Sequence, residues 1–383
     1  MKKKILYILT KADLGGAKKY VHDLTFNLDP ERFETKTLYG GKDIKWLSNK
    51  VYPLGLFFND WLAITELIKI LKREQPDVIH LNSSKAGVIG SLAAFLYNFS
   101  AKLFHSKTPQ LRTIFTAHGW VFNPTNYLPL PIRYSYRLFH KFAGLFQDAI
   151  INVSKYDLEI ALRYKIAPEH KLIAIHNGID PNINFLDKKT ARQAIIRKLK
   201  PANQITNQLM HSIWIGSIGR LTKEKNYETL IAAASKVKEA NFLIIGSGPE
   251  LNHYQSLISY YQLEHRFFII DPTGNDAQYL KAFDVFVLSS VKEGLPYSLL
   301  EAMAASLPIV VSDAGGMPEA VQNGKTGIIV PKKQPHTMQA ALANLLNDAE
   351  MRKKISAAAR ERALADFNLS RMVVETKNIY EQR

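Results

Sequence analysis

Val285-Phe286-Val287-Leu288 is followed by a short polar loop and then by Glu293-Gly294-Leu295-Pro296-Tyr297-Ser298-Leu299-Leu300-Glu301. The first four residues read as a strand buried on both faces. Pro296 opens a helix whose next turns are almost wholly apolar: Leu299, Leu300, Ala302, Met303 and Ala304. A buried strand, a glycine- and proline-bearing loop and an apolar helix together form one strand–helix unit of a parallel sheet. Working outward, the same unit recurs. Before the chain's midpoint, strand-like runs lie at 4–9, 35–38, 77–81, 112–117, 149–153 and 172–175. Beyond it they lie at 212–218, 242–245, 267–270, 285–288, 309–311 and 327–330, with helical patterns between most of them. Such alternation predicts parallel sheets with helices on both faces. Two series predict two doubly wound domains.

The junction is placed at Asn177-Gly178-Ile179-Asp180-Pro181, giving domains 1–180 and 181–383. The polar stretch 198–211, rich in Asn and Gln, reads as a loop. From Pro335 onward the pattern is helical, and the last helix is expected to pack back on the first domain. The 383 residues suit two domains at roughly 100–200 residues each. Apolar residues make up 46 % and charged residues 22 %, ordinary globular usage. No cysteine is present, which excludes thiolate metal sites, iron–sulfur clusters and cysteine nucleophiles. Met1-Lys2-Lys3-Lys4 precedes a short apolar run with no small-residue cleavage site after it. That run reads as a first strand rather than a signal peptide, so the expected location is cytoplasmic.

The formal charge is +16, which points to an anionic partner. Residues 1–180 hold 25 basic and 15 acidic side chains, and the rest 25 and 19. Between Asp77 and Asp148 no acid occurs, while Lys85, Lys102, Lys107, Arg112, Arg133, Arg137 and Lys141 do. The uncharged stretch 86–101 is short for a span of about 20 residues and contains Ser91, Asn98 and Ser100, so it is not expected to cross a membrane. Residues 128–146 are aromatic, with basic residues as their only charges. A helix beginning near Pro131 would suit an anionic membrane interface, or would simply cover a sheet with its cations solvated.

In doubly wound sheets ligands bind beyond the carboxyl ends of the strands, so the cleft between two such domains is the expected site. Four motifs sit at strand ends. Asp13-Leu14-Gly15-Gly16 joins the first strand to a helix, where paired glycines admit a ligand and the helix start favours an anion; a tight turn is the plainer reading. Thr116-Ala117-His118-Gly119-Trp120 offers His118 as a hydrogen-bonding or proton-transferring group. Gly219-Arg220-Leu221-Thr222-Lys223-Glu224-Lys225-Asn226 offers Arg220 and Lys225 to a phosphate; the P-loop pattern is absent. In the fourth motif Glu301 lies in apolar surroundings that demand a partner. Glu293 and Glu301 are both suited to accepting hydrogen bonds from vicinal hydroxyls. Gly246-Ser247-Gly248-Pro249-Glu250 is weak as a dinucleotide fingerprint and reasonable as a turn near a nucleotide, with Pro249 opening the next helix.

With these residues the sequence resembles the retaining glycosyltransferases of the GT-B fold, family 4, over nearly its whole length. The Glu-x7-Glu element at Glu293 and Glu301, preceded by Arg220 and Lys225, carries the resemblance. Asn177–Asp180 and Ser312-Asp313-Ala314-Gly315-Gly316-Met317-Pro318-Glu319 add to it. His80-Leu81-Asn82-Ser83-Ser84-Lys85-Ala86-Gly87 and Thr116–Trp120 are similar to bacterial members that build surface polysaccharides on lipid carriers.

The resemblance implies roles. Arg220 and Lys225 would bind the donor diphosphate and stabilise the leaving group. Glu301 would hold the ribose. Glu293 would contact donor-sugar hydroxyls, helped by backbone amides around Gly294, Leu295, Pro296 and Tyr297. His118 would face the donor sugar, Gly15 and Gly16 would let the first domain approach the diphosphate, and Gly246 would turn near the nucleotide. It implies no cofactor beyond the nucleotide-sugar substrate, with UDP favoured, and a lipid-diphosphate-linked saccharide as acceptor. A front-face displacement without metal is expected, because no carboxylate nucleophile is evident and Asp-x-Asp is absent. The inner face of the cell membrane is the expected place of work, with contact through 128–146. Two departures stand out: Lys18 where many relatives carry Glu or Gln, and Asp271-Pro272 where many carry glycine, which leaves the base open. A sugar-nucleotide 2-epimerase of the same fold is the alternative enzyme. The charge alone suggests an anion- or nucleic-acid-binding protein as a further alternative, although nothing resembles a nucleic-acid module.

Overall fold

The structure is a computed structural model that describes residues 2–10, 15–44, 58–103, 110–199 and 208–382. The chain divides into two compact units, 1–177 with 370–383, and 178–369. Each holds one six-stranded, all-parallel sheet.

The first sheet is built from β1 (Lys3–Leu9), β2 (Phe33–Tyr39), β3 (Val78–Leu81), β4 (Arg112–Ala117), β5 (Ala149–Asn152) and β6 (Leu172–Ala174), in the order β2-β1-β3-β4-β5-β6. The second contains β7 (Ile213–Ile218), β8 (Ala240–Ile245), β9 (Phe267–Ile270), β10 (Val285–Leu288), β11 (Ile309–Ser312) and β12 (Ile328–Val330), ordered β12-β11-β10-β7-β8-β9. Every strand read from the sequence is present. Central ones are buried at every position, as in Val78–Leu81, Ala149–Asn152, Val285–Leu288 and Ile309–Ser312. Burial on both faces makes such strands continuous apolar runs rather than alternating ones.

Strand order reverses between β1 and β3 in the first sheet, and between β7 and β10 in the second. At a reversal the chain leaves neighbouring strands in opposite directions and opens a crevice beyond their carboxyl ends. The loops that border these crevices are those after β1 and β3, and those after β7 and β10.

Helix ends follow local chemistry. Ser154 caps the helix Lys155–Arg163: its hydroxyl accepts from the Asp157 amide at 3.0 Å and donates to the Asp157 carboxylate at 2.8 Å. The helix Leu130–Gly144 has Pro131 in its first turn, where a missing N–H does no harm. The helix Ser84–Leu103 is long and apolar enough to cross a membrane. Its Ala86, Ile89, Ala93, Ala94 and Tyr97 are buried in the first unit's core.

The C-terminal region is helical at Pro335–Asn347, Ala349–Asp366 and Leu369–Glu381. The last helix belongs mostly to the first unit. Its Tyr380 phenol is fully buried, 2.6 Å from His80 Nδ1 and 3.1 Å from the Tyr7 hydroxyl. Lys3 and Arg112 cap the helix end by donating to its Tyr380 and Ile379 carbonyls at 2.7 and 2.8 Å.

Two local expectations change. Of 198–211, residues 200–207 lie outside the described residues, Leu199 ends the helix Lys188–Leu199, and 208–211 form a helical turn. This turn is held because Arg192 Nη1 donates to the Met210 carbonyl and Trp214 Nε1 to the Leu209 carbonyl, both at 2.8 Å. Pro249 does not open a helix. It lies in the turn before Leu251–Tyr260, since the Leu221 carbonyl takes the Glu250 amide at 3.0 Å and delays the helix start.

Candidate active site

In the second unit the site grows from the β7 and β10 ends. After Ile218 the chain runs through Gly219–Asn226 into the helix Tyr227–Ala234. Asn226 turns the corner in the left-handed region (φ 48°, ψ 45°). Its amide is held by Thr229 Oγ1 at 2.7 Å and the Ser289 carbonyl at 3.2 Å. Asn tolerates this conformation better than most residues. The loop after β10 is tied to the same segment: the Val291 amide donates to the Glu224 carbonyl at 2.8 Å, and Ser289 Oγ donates to the Lys225 carbonyl at 3.0 Å.

These ties bring together two charges 68 positions apart in sequence. Lys225 Nζ lies 2.6 Å from Glu293 Oε1, with the side chains only 14 % and 11 % exposed. Ser290 Oγ donates to the same oxygen at 2.6 Å. A short, charge-assisted contact in a half-dry crevice fixes both groups. Arg220, on the same loop, is exposed and pairs with no carboxylate among the described residues. Among the described residues the loop thus presents Lys225 paired and Arg220 and Lys223 exposed without a carboxylate at the topological switch.

Glycines hold this arrangement close. A Cβ on Gly246 would lie 2.0 Å from the Gly219 carbonyl oxygen, and one on Gly315 would lie 1.9 Å from the Glu293 carbonyl oxygen. The Gly316 amide donates to the Gly294 carbonyl at 2.7 Å. The segment 312–316 therefore buttresses Glu293 from behind. Pro296 precedes the helix Tyr297–Ala304; Leu295 before it and Tyr297, its first residue, are buried. Glu301 is on that helix and nearly buried, as expected from its apolar setting.

The first unit has its own candidate residues, at the ends of β1, β3 and β4. Asp13 and Leu14 lie outside the described residues. Gly15 is extended (φ 166°), and a Cβ there would meet nothing within 4 Å. Its extended backbone does not itself require glycine. Gly16 begins the helix Gly16–Asn27. His118 Nε2 is 3.2 Å from Asn82 Oδ1. The Asn82 amide nitrogen donates to the His80 carbonyl at 3.0 Å, so its oxygen must face His118 as acceptor. The proton of His118 therefore sits on Nε2, and Nδ1 carries the lone pair. The ring stands edge-on to Tyr20 at 5.0 Å. Burial pushes its pKa down to about 3, so the imidazole is neutral.

The loop bearing His118 is pinned by Trp120. The buried indole donates to Asn152 Oδ1 at 3.0 Å and to the Asp157 carbonyl at 2.9 Å. Behind it, His80 Nε2 contacts Thr116 Oγ1 at 2.7 Å. Burial, with His118 nearby, holds His80 down at about 3. Asn82 and Ser290 escaped the sequence reading as site residues. Asn82 stood inside a quoted run at a strand end, and that position was the available signal. Ser290 had none. Among the described residues, no three His, Asp or Glu side chains gather as a metal-ligand group.

Two six-stranded parallel-sheet units of this topology have the architecture of the GT-B fold. A sequence model described as Glycosyltransferase Family 4 matches residues 14–183, and one described as Glycosyl transferases group 1 matches 203–362. The chain is 27 % identical, over 84 % of its length and 79 % of the relative's, to an Escherichia coli UDP-Gal:alpha-D-GlcNAc-diphosphoundecaprenol alpha-1,3-galactosyltransferase. Its fold matches sucrose-phosphate synthase from Thermosynechococcus elongatus (TM-score 0.82, 19 % identity, 100 % and 99 % of the two chains). It also matches Anabaena HepE in complex with UDP and glucose (TM-score 0.79, 17 % identity, both chains covered fully). The chain belongs to the family-4 type of GT-B glycosyltransferases.

Proposed function

We propose that the protein transfers a hexose or N-acetylhexosamine from a UDP-sugar to a lipid-linked saccharide, with retention of configuration, in polysaccharide biosynthesis. The Lys225–Glu293 contact beside exposed Arg220 at the β7/β10 switch carries the reading. Arg220 and Lys225 hold the diphosphate. Glu293 directs Lys225 and accepts from donor-sugar hydroxyls, with the backbone of Gly294, Leu295, Pro296 and Tyr297 beside it. Glu301 accepts from the ribose. His118, neutral and protonated on Nε2, offers Nδ1 to a sugar hydroxyl. Lys18 serves an acceptor phosphate. The relative's UDP-galactose donor and diphosphoundecaprenol acceptor support the choice of substrates, as does UDP in HepE.

In this reaction the anomeric carbon–phosphate oxygen bond breaks and the bond to the acceptor oxygen forms on the same face. The acceptor's proton passes to the departing phosphate oxygen. Arg220 and Lys225 offset the charge that grows there, so preorganised cations rather than a metal carry the electrostatic load. The test is a thermal-shift panel of UDP, GDP, ADP and dTDP with and without EDTA, followed by transfer of labelled sugar to a lipid-diphosphate saccharide. A shift with UDP alone, insensitive to EDTA, and acceptor-dependent product are expected. A shift only with metal overturns the electrostatic assignment. Conversion of the nucleotide sugar without acceptor overturns the transferase reading.

A further inference from the structure

We infer that the outer faces of the helices Ser84–Leu103 and Leu130–Gly144 form a single docking surface for an anionic lipid bilayer. Along the second helix Leu130, Tyr134, Leu138 and Phe142 follow at four-residue intervals, and Leu145 continues the stripe. They are exposed by 47 % at Leu138 up to 71 % at Leu130. Sequence pointed only to this helix. The structure sets a second stripe beside it, Phe95, Phe99 and Leu103, also exposed. Phe146 joins the two, with ring centroids 4.3 Å from Phe95 and 5.1 Å from Phe142. Between the helices lies a crevice of about 280 Å³, lined by Leu92, Leu138, Phe139, Phe142 and Phe146. A contiguous aromatic and aliphatic face on a soluble-type fold marks an interaction site.

Charge selects the occupant. Lys102 and Lys141 stand exposed at this face and pair with no carboxylate among the described residues. Arg137 lies over Tyr134 at 4.6 Å and Tyr164 at 5.0 Å, keeping its cation at the rim. The acid nearest in sequence to Lys141, Asp148, lines a second cavity with Lys102 and spends one oxygen on the Thr113 amide at 2.7 Å. A second copy of this chain would set like charges against like across a two-fold contact. An anionic bilayer takes both the apolar stripe and the cations. The proposal rests on the lipid-linked acceptor of the preceding reading, because a bilayer-held acceptor gives the docking its purpose.

The experiment is co-sedimentation of the full chain with vesicles of phosphatidylcholine alone and of phosphatidylcholine with phosphatidylglycerol, at low and high salt. Three proteins are compared: the unchanged chain, Leu138→Ser/Phe142→Ser, and Lys102→Glu/Lys141→Glu. All changed positions are exposed, and equal melting temperatures confirm folding. The unchanged chain is expected to bind phosphatidylglycerol vesicles and to release in salt. Each double variant should lose at least about tenfold in partitioning. Transfer to a water-soluble acceptor analogue should stay unchanged in both variants. Equal sedimentation of all three proteins, or none with either vesicle, overturns the docking face. Self-association of the lipid-free chain that Leu138→Ser/Phe142→Ser abolishes assigns the face to a second copy instead. Loss of vesicle binding with normal soluble transfer leaves the enzymatic reading intact. Normal vesicle binding without transfer leaves only the docking face.

Discussion

Replacing Lys225 by Met separates what this residue does for the fold from what it does for the reaction. Lys225 Nζ is 2.6 Å from Glu293 Oε1, and the two side chains are 14 % and 11 % exposed. Without the ammonium, Glu293 keeps only Ser290, at 2.6 Å, as a side-chain donor among the described residues. Breaking a buried ion pair from one side destabilises by about 3–5 kcal/mol, since the other charge stays behind uncompensated. The remaining tenth of exposure lets water reach the carboxylate, so the lower end, about 3 kcal/mol, is expected. For a unit of this size that is a fall of roughly 6–12 °C in melting temperature. Adding Glu293→Gln removes the stranded charge and should restore most of the loss, because an amide can still accept from Ser290. Calorimetry on Lys225→Met, Glu293→Gln and the double variant measures the coupling. Turnover behaves differently. It should drop by about 10²–10³ in Lys225→Met and stay low in the double variant, since the leaving diphosphate has lost a cation in both. If the single variant melts within about 0.5 kcal/mol of the parent, or if the two single effects simply add, the pair is not the device described. Recovery of turnover along with stability would remove Lys225 from the chemistry.

Other predictions follow from buried polar groups and close backbone contacts. His140 is buried among Phe115, Trp120 and Phe122 with neither ring nitrogen hydrogen-bonded among the described residues, and burial holds its pKa down at about 3. His140→Leu should stabilise by about 1–2 kcal/mol at pH 7, read by urea denaturation, because an unsatisfied polar ring is removed. The folded pKa of His140 and of His80 lies below the unfolded value, so their contribution is intact above about pH 6.5 and is lost as pH falls toward 3. The acid slope is at most about 1.4 kcal/mol per pH unit for each, and His140→Leu should flatten it by one such share. Tyr380→Phe should cost about 1–3 kcal/mol, because it strips His80 Nδ1 of its partner; an unchanged urea midpoint would contradict the buried cluster. Gly246→Ala should push the Gly219–Asn226 loop aside and weaken UDP binding at least about tenfold, with a stability loss of about 1–3 kcal/mol; calorimetric titration of UDP measures the first.

The strands were legible because a parallel sheet buries both faces, so segments such as Val285–Leu288 stand out against polar loops without any knowledge of their neighbours. Arg220, Lys225 and Glu293 were legible as strand-end residues. Their meeting was not, since it depends on β7 lying beside β10, a crossover that no local pattern encodes. The same holds for Asn82, which sets the His118 tautomer only once β3 and β4 are paired side by side. The second stripe of the apolar face was hidden for another reason. Phe95 and Phe99 share a helix with Ile89, Ala93 and Ala94, and composition alone does not tell which side of a uniformly apolar helix faces out. The 208–211 turn was missed because its order comes from Arg192 and Trp214, not from its own polar residues.

The buried Tyr380 phenol carries a consequence for the order of assembly. The first unit's sheet emerges early in synthesis, yet Tyr7 and His80 wait for a residue about three hundred positions downstream of His80. Until that residue arrives, the first-made unit keeps a gap where the last helix will lie, while 178–369 already holds everything it needs to close. The later-made unit can therefore finish first, against the usual N-terminal-first order of domain folding. The nascent chain passes through an interval in which the half-built first unit presents its incomplete edge, and rescue by chaperones should matter most there.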